Sequence, residues 1–331
     1  MAEKKDIRLV ITDIDNTIAD KFGVWAHALD AAMERLSGLY GRPREDIARD
    51  LLAHVPDTVR HIPGPYIGKD LRGDVLRTPS LQPQGHEQAV ELEKILHAWD
   101  KDRSRAELYD GVMPAMNKIR SSGARLVLYS DSRESVCIPR LAKMGITADM
   151  VDAVYVQPDL REGRTVRMPV AGPAKALRDG LGERLVTLDP KTAKPNPANM
   201  KRIIAEMGVE NPAEVVMVGD NIRADGTGAI AAGINFAWQK AGTEIDEVTR
   251  RCYEEFCRDP NYKITTQDHL EQMDATNRPT EILENGFKDI AKHYRFVSAG
   301  KTHEDEVQIK NTGKSPKPAF LSRLSSLVRG R

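Results

Sequence analysis

The feature that most constrains this chain is a set of short β-branched runs, each ending in a polar residue and followed by a helical pattern. Ile7–Thr12 runs up to Asp13, Arg125–Tyr129 up to Ser130, and Val215–Val218 up to Gly219-Asp220. Runs of this length and composition suit strands covered on both faces. Their alternation with helices predicts an α/β fold built on a doubly wound parallel sheet. Such sheets bind ligands outside the carboxyl ends of their strands. The polar residues stand at those ends, so a shared site is expected there.

The segment between the first two runs has a different character. Helical periodicity occupies Val24–Tyr40, through Trp25, Leu29, Met33 and Leu36, and recurs near Glu45–His54 and Glu87–Trp99. The intervening Val55–Gly85 is rich in proline and glycine and carries Arg60, His61, Tyr66, Lys69 and Arg72, with His54 just before it. A long segment of this kind inside a compact domain is uncommon and often functional. The pattern predicts a core over residues 1–20 and 106–297, with a helical cap and its polar loop over 21–105 inserted after the first strand. A polar, basic tail is expected over 298–331.

Smaller features fill out the core. A strand is expected at Val151–Val156, then an insertion over Gln157–Glu183 with a charged turn at Arg161-Glu162-Gly163-Arg164 and a helix at Ala174–Leu181. A strand follows at Arg184–Leu188. Beyond Thr243 the patterns predict a helix through Cys257, a short strand at Tyr262–Thr266 and a last helix over Thr280–Tyr294. The tail places Phe320, Leu321, Leu324, Leu327 and Val328 at helical spacing, which would suit docking on a partner or membrane surface, though such a tail is more often disordered or packed on its own domain.

Composition narrows the class. The formal net charge is +0, so no global field draws the protein to nucleic acid or to a membrane surface. Three cysteines, Cys137, Cys252 and Cys257, form no CxxC pair, which argues against a disulfide framework or zinc site and fits a cytoplasmic location. The apolar run before Asp13 is too short for a signal h-region or a membrane span.

Four elements carry chemistry when taken together. Asp13-Ile14-Asp15-Asn16-Thr17 leaves the first strand with two carboxylates one residue apart. Ser130 offers a hydroxyl at the end of the second. Lys194 precedes Pro195-Asn196-Pro197 and the helix Ala198–Met207, and Gly219-Asp220-Asn221 leads to Asp225. Each alone has an ordinary reading as a strand end, a helix start or a capped turn. In combination they supply a carboxylate nucleophile, an acid for the leaving oxygen, a cation for phosphoryl oxygens and hard ligands for Mg²⁺.

In this order the four elements resemble the signature motifs of the haloacid dehalogenase-like (HAD) superfamily, and Leu108–Val112 through Ser121–Ala124 resembles that family's approach to its second motif. The resemblance covers roughly residues 6–24 and 106–240 and implies a Rossmann-like core carrying a capped phosphatase site. It implies that Asp13 takes the phosphoryl group, that Asp15 serves as acid and then base, and that Ser130 and Lys194 hold the transferring group. Mg²⁺ would be held by Asp13, the backbone carbonyl of Asp15 and Asp220, with Thr17, Asn221 and Asp225 in support. Asn16 stands where the family often has glycine, and the spacing from Ser130 to Lys194 is long.

Asp15 disfavours a dehalogenase, which has no leaving oxygen to protonate. A phosphonate-cleaving enzyme would need a cap lysine, for which only Lys21 and Lys69 offer themselves. The expectation is a phosphomonoester hydrolase acting on a small phosphorylated metabolite. A phosphomutase or phosphotransferase on the same site, or a catalytically inactive binding protein, stays open. Arg60, His61, Lys69, Arg72 and Arg133 are the candidates for reading the substrate. A homodimer is compatible with the sequence, and no nucleic-acid partner is expected.

Overall fold

The computed structural model describes residues 4–54, 70–161, 164–256 and 264–300. Along these residues the strands are β1 (Lys5–Ile7), β2 (Leu9–Thr12), β3 (Arg125–Arg133), β4 (Ala153–Gln157), β5 (Asp159–Arg161), β6 (Arg164–Val166), β7 (Leu185–Thr187), β8 (Val215–Gly219), β9 (Asn235–Trp238), β10 (Glu281–Ile282) and β11 (Tyr294–Phe296). Seven form one parallel sheet in the order β10-β9-β8-β2-β3-β4-β7. The centre of this sheet is apolar on both faces, as a parallel sheet covered by helices requires. All four residues of β2 are buried, and Leu9 sits in register with Arg125 of β3 and Val215 of β8. Leu9, Ile11, Val127, Tyr129, Met217, Phe236 and Trp238 join one core with Met200 and Ile203.

The helices in chain order are α1 (Phe22–Tyr40), α2 (Arg44–Ala53), α3 (Leu71–Arg77), α4 (His86–Arg103), α5 (Val112–Ser121), α6 (Glu134–Lys143), α7 (Gly172–Leu181), α8 (Ala198–Glu206), α9 (Thr227–Ala232), α10 (Glu247–Phe256), α11 (Thr266–Glu271) and α12 (Ile290–His293). None is long and apolar enough to cross a membrane. The chain divides into two compact units. The sheet unit holds the residues up to Ala19, Glu107–Thr243 and those from Thr266 onward, while the helical unit holds Asp20–Ala106 and Glu244–Thr265.

The helical unit has its own core. Leu29, Met33 and Leu36 of α1 and Leu92, Ile95, Leu96 and Trp99 of α4 recur at three- and four-residue spacing, so each helix buries one stripe. Ile47, Leu51 and Leu71 complete this core, and so does Phe256 of α10. The α10 segment, which sequence periodicity assigned to the sheet domain, therefore belongs to the helical unit. Arg44 fixes it there, reaching Asp30 of α1 at 2.7 Å and Glu255 of α10 at 2.9 Å.

Where the two segments of the helical unit leave the sheet unit, the sheet unit ties its own ends together. Ala19 forms an antiparallel bridge with Leu108, and the Tyr109 N–H donates to the Ile18 carbonyl at 3.0 Å. Thr243 Oγ1 and Thr266 Oγ1 lie 2.9 Å apart in a hydrogen bond.

Several expectations need correction. Ile7–Thr12 is not one strand. It breaks at Arg8, whose guanidinium pairs with Glu214 at 2.9 Å, and Ile7 belongs to β1, which pairs with β11 in a separate two-stranded sheet. The second strand does not stop at Tyr129 but runs to Arg133, with a register shift against β4 between those residues. The expected polar loop holds α3, capped by Asp70, whose carboxylate accepts from the Gly73 N–H. Of the expected charged turn, Arg161 and Arg164 pair at the end of the antiparallel β5–β6 ladder, and residues 162–163 lie outside those described.

No strand ends at Thr266; that residue opens α11, while residues 257–263 lie outside those described. Thr280–Tyr294 is no single helix. Gly286, at φ 91°, interrupts it, and the segment becomes β10, a 3₁₀ turn at Phe287–Asp289, α12 and the start of β11. The apolar spacing at Phe320–Val328 lies outside the described residues.

Candidate active site

Three neighbouring strand tips build the site. Asp13 follows β2, Ser130 lies within β3, and Asp220 follows β8, on strands adjacent in the sheet. The Asp13 N–H donates to the Val218 carbonyl at 2.9 Å, which extends the β2–β8 pairing to the last residue before the site. Beyond it the chain turns sharply. The Asn16 N–H donates to the Ala19 carbonyl at 2.7 Å, and Asn16 adopts φ 57°. That left-handed conformation is the one asparagine tolerates better than other residues bearing a side chain, so it fills a place where glycine would also serve.

Lys194 arrives from the loop before α8, just ahead of a cis Lys194-Pro195 peptide. Its ammonium donates to Asp13 Oδ1 and to Asp225 Oδ1, each at 2.8 Å, with its side chain only 5% exposed. The Nζ also lies 5.0 Å from the centre of the Tyr129 ring. Its backbone N–H donates to Asp131 Oδ2 at 3.1 Å, tying the loop to the residue after Ser130.

Asp220 and Asp225 reach one pocket because the chain between them forms a π-helical turn over Ile222–Gly226. The Asn221 side chain caps this turn, accepting from the Ala224 N–H at 2.9 Å. The Asn221 N–H donates to Asp225 Oδ2 at 3.1 Å. Thr17 locks Asp220 by two bonds: its hydroxyl donates to Asp220 Oδ1 at 3.1 Å and accepts from the Asp220 N–H at 3.0 Å. The Trp238 indole donates to the Asp220 carbonyl at 2.9 Å.

Asp13, Asp220 and Asp225 offer carboxylate oxygens that all lie within 4.8 Å of one another. Burial raises the Asp13 carboxyl above the usual carboxylate range; Lys194 opposes the rise, and Asp225 and Asp15 add to it. Burial also raises Asp220, with Asp225 and Asp13 reinforcing it, and raises Asp225 against the pull of Lys194. Burial works against the charge on Lys194, but Asp13, Asp225 and Asp131 outweigh it and lift its pKa well above the ordinary value. Three carboxylates against one ammonium leave a formal excess of two negative charges in a buried place. A divalent cation with oxygen ligands fits that excess. Both oxygens of Asp225 are already engaged, by Lys194 and by the Asn221 N–H, so Asp13 and Asp220 are the better placed ligands.

The second carboxylate stands apart from this cluster in its partners. Asp15 is 13% exposed, and Arg140 of α6 forms an ion pair with its Oδ1. The Ser132 hydroxyl donates to its Oδ2 at 2.8 Å. Ser130 is buried, and its hydroxyl oxygen accepts from the Ser132 N–H at 3.1 Å, leaving the hydroxyl hydrogen for another acceptor.

Asp13, Thr17, Lys194, Asp220, Asn221 and Asp225 thus share one bonded network, with Asp15 and Ser130 joined through Ser132. Arg133 is exposed at the end of β3. Arg72 lies in the helical unit and is occupied there, 2.6 Å from Glu93 and 3.7 Å from Asp100. Arg60, His61 and Lys69 lie outside the described residues. Sequence reasoning missed Asp131, Ser132 and Arg140. The first two stand next to Ser130 and could have been found by asking what the extended β3 carries; Arg140 leaves no local signal.

A parallel sheet whose adjacent central tips gather buried carboxylates around one lysine defines an α/β protein with a polar site at its strand ends. The chain matches the haloacid dehalogenase-like hydrolase family over residues 7–233 and belongs to that family. No curated protein sequence matches it. Among solved structures it is similar to a predicted phosphoglycolate phosphatase from Haemophilus somnus, at 14% identity and TM-score 0.43, covering 86% of this chain and 97% of that one. It is similar to L-2-haloacid dehalogenase from Xanthobacter autotrophicus, at 16% identity and TM-score 0.42, with 86% and 97% covered. A HAD phosphatase from Thermococcus onnurineus shows 20% identity and TM-score 0.40, with 80% and 97% covered.

Proposed function

We propose that this hydrolase is a Mg²⁺-dependent phosphomonoester hydrolase acting on a small phosphorylated metabolite through an aspartyl-phosphate intermediate. The observation that carries the reading is the convergence at adjacent strand tips of Asp13, Asp220 and Asp225, with carboxylate oxygens within 4.8 Å of one another and Lys194 bound to two of them. Asp13 shares Lys194 with Asp225, and Asp15 is held by Arg140 and Ser132.

In this reading an Asp13 carboxylate oxygen attacks phosphorus, and the bond from phosphorus to the ester oxygen breaks. Asp15 gives its proton to that departing oxygen. Water then attacks the aspartyl phosphate while Asp15 takes a proton from that water, the bond from phosphorus to the Asp13 oxygen breaks, and inorganic phosphate is released with Asp13 restored. Lys194 and the Ser130 hydroxyl hold the phosphoryl oxygens through both steps. Asp13, Asp220 and the Asp15 carbonyl would hold the Mg²⁺, which supplies positive charge against the developing negative charge of the transferring group. Arg133 is the described candidate for reading the remainder of the substrate.

The test is phosphate release from a panel of phosphorylated metabolites and from para-nitrophenyl phosphate with Mg²⁺, comparing wild type with Asp13→Asn. Metal-dependent turnover by wild type, abolished in the variant, is the expected result. No release from any ester with Mg²⁺, Mn²⁺ or Co²⁺ would sink the proposal in favour of a binding protein.

A further inference from the structure

Resting on that phosphatase reading, we infer that Arg140 is the positioning residue of the proton-transfer step, fixing the Asp15 carboxylate toward the leaving oxygen. Arg140 belongs to none of the four motif elements. It lies on the helix that follows β3, at the seventh residue of α6. Its side chain is 16% exposed and that of Asp15 13%, so the pair is largely withdrawn from water. Charged pairs at a solvated surface contribute little, but one this sheltered holds its geometry.

Asp15 is held at both of its carboxylate oxygens. An aspartate three residues past a strand end has a side chain with two rotatable bonds to fix, and a proton donor is useful only within hydrogen-bond reach of its target. Arg140 takes one carboxylate oxygen and the Ser132 hydroxyl takes the other. Both come from the β3–α6 passage that also supplies Ser130, and whose Asp131 holds the Lys194 backbone. One stretch of chain therefore sets the phosphoryl-holding hydroxyl, the lysine loop and the acid in fixed relation. Without Arg140, Asp15 loses the cation that holds its Oδ1 and keeps the Ser132 hydroxyl at Oδ2. Its carboxyl group then spends much of its time out of line.

This role has a signature that a purely structural ion pair lacks. Proton donation matters most when the leaving oxygen is strongly basic and least when it departs readily as a stabilised anion. The experiment measures kcat/KM, which reports the steps through phosphoryl transfer, for aryl phosphates running from para-nitrophenyl to phenyl and para-methoxyphenyl phosphate. Wild type, Arg140→Ala, Arg140→Lys and Ser132→Ala are compared with saturating Mg²⁺.

Arg140→Ala is expected to lose about 10²-fold on the phenyl and methoxyphenyl esters, within the range of general acid assistance, and only a few-fold on the nitrophenyl ester. Arg140→Lys keeps a cation and should fall between, which preserves the test if the alanine variant folds poorly. Ser132→Ala should steepen the dependence in the same sense. An equal loss across the series for both Arg140 variants, or no loss, overturns the inference while leaving the phosphatase reading intact. A wild type inert toward every ester overturns both.

Discussion

Gly219 and Asp225 approach so closely that a β-carbon on the glycine would stand 2.2 Å from Asp225 Oδ2. Only a residue without a side chain lets the π-helical turn fold its acid back against the end of β8. Gly219→Ala must push Asp225 aside and with it one anchor of Lys194. The expected outcome is a loss of activity of about 10²-fold, as displacement of a reacting group by about an ångström produces, in a protein that still folds. Steady-state rates on para-nitrophenyl phosphate, with a circular dichroism spectrum as control, decide it; an alanine variant as active as wild type would contradict the assigned function of the turn.

The excess negative charge among Asp13, Asp220 and Asp225 makes the metal-free protein self-repelling at this point. Asp220→Asn removes one charge yet keeps an oxygen for the Thr17 hydroxyl. The variant should therefore melt at a higher temperature than wild type in EDTA. Wild type should gain from Mg²⁺, by about 2.7 kcal/mol at a hundredfold excess over Kd, and the variant should gain far less. Thermal melts with and without the metal measure both effects. A variant less stable than wild type in EDTA would refute the charge argument.

His269 is buried in the sheet unit, 6.2 Å from Trp238 between ring centres, and burial lowers its pKa to about 4, with Asp268 opposing weakly. The unfolded chain binds this proton near pH 6.5. Between those values the unfolded state holds more protons than the folded one, so stability falls as pH drops. The contribution is complete above about pH 6.5 and fades toward pH 4, at a slope approaching about 1.4 kcal/mol per pH unit. Urea unfolding at pH 7 and pH 5 should show a steeper loss for wild type than for His269→Gln. Equal slopes would mean that the histidine titrates freely in the folded protein.

Arg44 should hold the α10 segment within the helical unit. Arg44→Met keeps the apolar stem but leaves Asp30 and Glu255, which are 15% and 18% exposed, without this partner. Arg251 still reaches Asp30 at 2.7 Å, so Glu255 bears most of the loss. Partial exposure places the cost between that of a surface pair and a buried one, about 2 kcal/mol. Hydrogen exchange of Glu247–Phe256 should accelerate, while exchange in β2 and β8 stays unchanged. Unchanged protection of α10 would show that Phe256 packing alone retains it.

The parts of the molecule legible in sequence are those whose cause is local. Asp13, Ser130 and Asp220 could be placed because each follows or ends an apolar run, and the run itself dictates the strand. Lys194 and Asp225 could be grouped with them only through the order of motifs, since nothing near Lys194 announces a bond to Asp13 across 181 positions. Arg140 and Asp15, 125 positions apart, had no such pattern to join them. The same limit explains β1: Lys5–Ile7 reads as the start of the strand at Leu9, and its true partner at Tyr294–Phe296 lies at the far side of the chain. Thr280–Tyr294 has apolar residues at helical intervals, but pairing of Glu281 and Ile282 with β9 and the bend at Gly286 win over periodicity.

The tied ends at Ala19 with Leu108, and at Thr243 with Thr266, bear on how such a protein can be rebuilt. Each segment of the helical unit departs and returns through residues that the sheet unit already fastens together, so neither is needed to close the sheet. Yet Phe256 and Arg44 make the two segments a single hydrophobic and ionic partnership. A chimera that transplants Asp20–Ala106 alone would strand α10 beside foreign helices with no cavity for its phenylalanine. The natural cassette is discontinuous, and recombination that respects it must cut the gene at four points rather than two.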